Sequence, residues 1–114
     1  MTDYIWITTQ KEAFHSWPEA PEEVKYLRNT HRHIFHFRVN IETSKDREIE
    51  FHMFKRFIEK WIESFPKYMG STSCEKLADI LHGYIINTYT KREIIIDISE
   101  DRENGFTKKF EVTQ

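Results

Sequence analysis

Hydrophobic and polar residues alternate along four parts of the chain, and this two-residue period is typical of β-strands with one buried face. The first part covers residues 3–9 and resumes at 12–17, and the second covers 33–43. The other two lie near the C-terminus, at 92–100 and 105–112. The pattern therefore predicts one antiparallel hairpin towards each end of the chain.

Between these hairpins, apolar residues recur at spacings of three and four, which predicts two amphipathic helices. The first spans residues 49–64 and ends before Pro66, and the second spans about 73–88. Thr72 followed three residues later by Glu75 is a capping-box pattern, which explains Glu75 without any ligand. The predicted buried positions are Ile49, Phe54, Phe57, Ile58, Trp61 and Ile62 in the first helix and Leu77, Ile80, Leu81, Tyr84 and Ile85 in the second.

Two connections carry the signals of turns. Pro18 and Pro21 interrupt regular pairing, so residues 18–30 are predicted to be an irregular connection. The polar residues at 101–104, with Gly105 after them, are predicted to turn the chain between the last two strands.

The element order β-β-α-α-β-β predicts an α+β fold in which both helices cover one face of a four-stranded antiparallel sheet. A chain of 114 residues is expected to form a single domain over 1–114. The second face of the sheet and its two edges then lack a cover, and exposed edges favour pairing with another chain. We therefore expect a homo-oligomer.

Composition and charge exclude several classes of partner. The net charge is −2, so the chain lacks the basic surface expected of a protein that binds nucleic acid. No apolar run approaches the ~20 residues of a membrane span, and the N-terminal segment lacks the pattern of a secretory signal. The single cysteine, Cys74, permits no internal disulfide and suits a reducing compartment. We expect a cytoplasmic protein without a membrane partner.

Three histidines lie within six positions at the start of the second strand. In a strand, His31 and His33 project to the same side, about 6.5–7 Å apart at the backbone, so that both imidazoles can reach one ion. His36 points to the opposite face and is excluded as a ligand. Three neutral imidazoles with an open fourth position are typical of catalytic zinc. The alternative is a polar strand face with unrelated histidines.

Two other residues are candidates for chemistry. Cys74 lies in the first turn of the second helix, where the helix dipole lowers the pKa of a thiol, although a buried inert thiol is the alternative. Glu100 ends the third strand, and it is either a ligand-binding carboxylate or an ordinary turn residue.

These motifs together resemble the 6-pyruvoyltetrahydropterin synthase and 6-carboxytetrahydropterin synthase family, whose members have the tunnelling fold. The resemblance spans roughly residues 4–112 and rests on short motifs. In that family one zinc histidine lies in a phenylalanine-rich strand, as His15 does in AFH, and two more form a pair about fifteen residues later, as His31 and His33 do in HRH. The resemblance implies Zn²⁺ bound by these three residues.

The resemblance also implies a small pterin- or purine-like ligand. The family has a glutamate at the start of its second helix, which corresponds to Glu75 in STSCEKLA. Its third strand ends in a glutamate that holds the edge of the pterin or purine, which corresponds to Glu100 in IIIDISE. Gly105 falls where the family keeps a glycine.

Several departures concern the catalytic groups of the family. The catalytic cysteine lies four residues before the histidine pair, where this chain has Leu27, and Arg32 replaces the glycine within the pair. The family's Asp-His partner has no counterpart, because no histidine lies between His52 and His82. Cys74 is the only thiol that could replace the missing nucleophile. These departures leave three candidate functions: a zinc-dependent lyase with altered chemistry, a non-catalytic oligomer that sequesters a nucleotide or metabolite, and a structural oligomer.

Overall fold

The computed structural model describes residues 1–112 and confirms the predicted α+β architecture. The elements follow the order β-β-α-α-β-β, and the strands form one antiparallel sheet in the order β1-β2-β3-β4. The strands are β1 (Asp3–His15), β2 (His31–Thr43), β3 (Ile94–Glu100) and β4 (Asn104–Phe110), and the helices are α1 (Phe51–Ser64) and α2 (Cys74–Ile86). In the described part of the chain, no helix has the length and apolar character that crossing a bilayer requires.

The first hairpin is longer and more regular than the sequence pattern indicated. β1 is one continuous strand of 13 residues, because it pairs with β2 along its whole length, from Asp3 opposite Thr43 to His15 opposite His31. The connection predicted to be irregular contains a short 3₁₀ helix, Glu22–Arg28. The long register carries His15 to the same end of the sheet as the start of β2.

Both helices pack on one face of the sheet and enclose the core. The alternation predicted for β2 is confirmed, since Phe35, Phe37, Val39 and Ile41 are all buried. The buried residues of the helices match most predicted positions; they are Phe54, Ile58, Trp61 and Ile62 in α1 and Cys74, Leu77, Ala78, Leu81 and Ile85 in α2. Ile80 was predicted to be buried but is half exposed, because it lies about 100° around the helix from Leu81.

The start of α2 differs from the predicted capping box by one residue. Ser73, not Thr72, is the N-cap, and its hydroxyl accepts a hydrogen bond from the N–H of Lys76 at 3.1 Å. The hydroxyl of Thr72 instead donates to the carbonyl of Met69. The capping-box explanation of Glu75 is therefore wrong, and its side chain faces the pocket described below.

Gly105 lies opposite Ser99 in the β3–β4 pair, where a side chain does not fit. An added Cβ would meet the carbonyl oxygen of Ile98 and lie 2.7 Å from Cα of Ser99, and both are backbone atoms. We expect Gly105→Ala to lower the free energy of unfolding by about 1–3 kcal/mol, as overpacking does elsewhere.

Gly83 is the matched control, because a Cβ added there in α2 has nothing within 4 Å. We expect Gly83→Ala to raise the free energy of unfolding by about 0.5–1 kcal/mol, since alanine favours the helix. Denaturant unfolding of both variants tests the pair. A Gly105→Ala variant as stable as the parent would contradict the close approach of β3 to β4.

Candidate metal centre

Three histidines meet at one end of the sheet, on the face that the helices cover. Pairing of β1 with β2 places His15 opposite His31, and His33 follows two residues later on the same face. One potential ligand atom from each residue lies within 4.8 Å of the other two. The ring centroids are 4.6 Å apart for His15 and His31 and 4.9 Å apart for His31 and His33. The predicted convergence of these three side chains is confirmed.

His36 projects to the opposite face of the sheet, as the strand period predicted. Its Nδ1 accepts a hydrogen bond from Nε of Arg102 at 3.2 Å. Burial, followed by the charge of Arg102, lowers the pKa of His36 from its ordinary value. His36 therefore remains outside the histidine cluster.

Each imidazole of the cluster is oriented by a hydrogen bond at Nδ1. This atom lies 2.9 Å from the carbonyl of Thr72 in His15, 2.9 Å from the carbonyl of Asn29 in His31, and 2.7 Å from Oδ2 of Asp101 in His33. Because carbonyl and carboxylate oxygens only accept, Nδ1 carries the proton in all three rings. In the neutral rings the Nε2 lone pairs are then free, and this is the usual arrangement of metal-binding histidines and their supporting groups.

Two of these Nε2 atoms are buried without a hydrogen-bond partner. They belong to His15 and His33, and no group within residues 1–112 satisfies them. Glu100 is near, with Oε2 3.1 Å from Nε2 of His15 and Oε1 3.6 Å from Nε2 of His33, but neither contact has the geometry of a hydrogen bond. Buried polar atoms are rarely left unsatisfied, and a metal ion would satisfy both. Imidazole ligands suit zinc and several other divalent transition-metal ions, so the donor set fits the expected metal.

A pocket of about 360 Å³ adjoins the cluster, between β1, the start of α2 and the β3–β4 turn. Its volume is within the range of small-molecule sites. It brings together most of the residues singled out by sequence, and its lining includes His15, His31, Leu27, Cys74, Glu75, Glu100 and Gly105. The aromatic side chains of Trp17 and Phe106 also contribute to the wall.

Cys74 is buried in this pocket, and its ionisation behaviour is opposite to that expected at a helix N-terminus. Burial, with smaller contributions from the charges of Glu100 and Glu75, raises the pKa of the thiol to about 12. The thiol therefore stays protonated at neutral pH. Of the two alternatives for Cys74, this environment favours the inert buried thiol over the nucleophile.

Asp101 is a supporting residue that sequence reasoning treated only as part of a turn. It has a positive φ of 56°, its N–H donates to the carbonyl of Ile34 at 2.8 Å, and its Oδ1 accepts from the N–H of Ile34 at 2.9 Å. The N–H of Ile34, followed by the imidazole of His33, lowers the pKa of Asp101, which keeps the carboxylate ionised. The only sequence signal was a second carboxylate directly after Glu100.

The resemblance to the tetrahydropterin synthase family remains a hypothesis. No protein-family model matches this chain, and no curated protein matches it. Of the residues implied by the resemblance, His15, His31, Glu75 and Glu100 line one pocket, and His33 lies beside His15 and His31.

Proposed function

We propose that this protein binds a zinc ion through His15, His31 and His33 and a small pterin- or purine-like compound in the adjoining pocket. The observation that carries the proposal is the set of three imidazoles whose Nδ1 atoms are all occupied by oxygen partners, while the buried Nε2 atoms of His15 and His33 have no hydrogen-bond partner. Asp101, through its hydrogen bond with Nδ1 of His33, would hold that imidazole in the tautomer and orientation that present Nε2 to the metal. Zinc bound there would polarise a ligand oxygen or lower the pKa of a bound water to about 7.

The chemistry of the pocket wall supports a planar, nitrogen-rich ligand. A carboxylate such as Glu100 or Glu75 can accept two parallel N–H bonds from an amino-pyrimidinone edge, which guanine and pterins share. Trp17 and Phe106 provide aromatic surface for stacking against such a ring. The family resemblance supplies the class of ring, and the pocket supplies carboxylates and aromatic surface that suit it.

A second candidate function is binding without turnover, and two observations favour it. Leu27 lines the pocket at the position implied for the catalytic cysteine. The remaining thiol, Cys74, has a pKa of about 12 and is not available as a nucleophile at neutral pH. If the protein is an enzyme, we propose a zinc-dependent lyase in which another group moves the proton. If it is not, the same pocket would sequester a nucleotide or related metabolite.

We also propose that the protein forms a homo-oligomer through the sheet. β1 and β4 are its edges, and both helices lie on one face only. On the other face Trp6 is half exposed, and the guanidinium of Arg38 lies 4.1 Å from its ring centroid. Pairing of edge strands between copies would satisfy the free backbone groups of β1 and β4.

Native mass spectrometry of the purified protein, followed by the same measurement under denaturing conditions, tests the proposal. We expect a multiple of the subunit mass, about one zinc ion per chain, and a small molecule that is released on denaturation. A sample treated with a chelator is the control for the metal. A metal-free monomer that stays so after zinc is added would contradict both the metal site and the oligomer.

A further inference from the structure

We infer that Glu100 is a fourth protein ligand of the metal. This inference rests on the proposed function, because it assumes a metal at the three histidines. It gives Glu100 a role other than accepting hydrogen bonds from the ring of a small molecule in the pocket. The site would then be four-coordinate when the pocket is empty, with three nitrogen donors and one oxygen donor.

The strand period puts Glu100 on the same face as the histidines. In β3 the residues at even positions are buried against the helices, as Ile96 and Ile98 show, and Glu100 continues this series. Glu100 pairs with Phe35 in the register of β2 and β3, and Phe35 lies two residues after His33. The backbone therefore directs this carboxylate towards the cluster.

The distances between Glu100 and the two imidazoles leave room for a shared positive charge, with Oε2 3.1 Å from Nε2 of His15 and Oε1 3.6 Å from Nε2 of His33. Nδ1 of His15 donates to a carbonyl, so Nε2 of the neutral ring presents a lone pair. Oε2 of Glu100, 3.1 Å away, also presents lone pairs. Two lone pairs at this distance repel each other unless a proton or a metal ion lies between them, and the same holds for Oε1 and His33.

In the described part of the chain, the other surroundings of Glu100 provide no positive charge. Its side chain is 22% exposed, and its partners within ion-pair distance in the described residues are His15 and His33, without a lysine or arginine. A half-buried carboxylate without a cation is costly, and a divalent ion held by the same two histidines would neutralise it. A molecule in the pocket would then reach the metal by displacing Glu100 or as a fifth ligand.

Zinc affinity and the visible absorption of the cobalt(II)-substituted protein test this role. We expect Glu100→Ala and Glu100→Gln to weaken zinc binding by at least ~10- to 100-fold, the range known for residues that only support metal ligands. Both variants should also change the cobalt spectrum, because a ligand atom is replaced. Glu103→Gln, in the same turn, is the matched control and should leave both readouts unchanged.

Two outcomes separate this inference from the proposed function. If the parent binds neither zinc nor cobalt, the metal site itself is wrong, and this inference is wrong with it. If the parent binds zinc and both Glu100 variants bind it equally well with the parent's cobalt spectrum, only the fourth-ligand role of Glu100 is overturned. Circular dichroism of the variants establishes that they are folded.

Discussion

Replacing His31 or His33 with alanine is expected to abolish zinc binding. Each variant removes one of the three converging imidazole donors. Two histidines and the neighbouring Glu100 then remain to hold the metal. The loss should exceed the ~10- to 100-fold effect of removing a supporting residue. Zinc content after dialysis, measured by atomic spectroscopy, and competition with a chelator both report it.

His36→Ala is the matched control, because His36 lies in the same strand but faces the other side of the sheet. This variant should retain about one zinc per chain. The affinity of the parent for zinc should fall in acid, since protons compete with the metal for the imidazole nitrogens. A variant with all three histidines replaced that kept full zinc content would contradict the assignment.

Turnover of the usual 6-carboxytetrahydropterin synthase substrate is expected to be absent or very weak. The resemblance implies a cysteine where this chain has Leu27, and a properly placed acid or base typically contributes ~10²- to 10⁴-fold in rate. We do not expect Cys74 to replace it, because burial raises the pKa of its thiol to about 12. A coupled assay with the zinc-loaded protein measures this activity.

Robust turnover would contradict this expectation and would favour the enzymatic candidate over simple binding. Cys74→Ser is then the informative variant. If it abolished that turnover, Cys74 would be the nucleophile in spite of its burial. If turnover were unchanged, the proton would be moved by another group in the pocket, such as Glu75.

The strands and helices could be predicted because their hydrophobic periods are local. The two-residue period of β2 places His31 and His33 on the core face together with Phe35, and the structure agrees. The predicted helix boundaries agree with α1 and α2 to within two residues. The local pattern did not identify the residue that caps α2, which is Ser73 and not Thr72.

Other features of the site depend on long-range pairing, which a single sequence does not specify. His15 meets His31 only because β1 continues unbroken to the end of its register with β2. Asp101 reaches His33 across the sheet, from a turn 68 positions away in the chain. The pKa of Cys74 was expected to fall because of the helix dipole, but the desolvation that raises it arises from tertiary packing.

Crystals of the zinc-loaded protein, measured on both sides of the zinc absorption edge, test the metal site most directly. We predict one anomalous peak per chain, at about 2.0–2.1 Å from Nε2 of His15, His31 and His33. A peak at another position, or the absence of a peak in crystals grown with saturating zinc, would contradict the account.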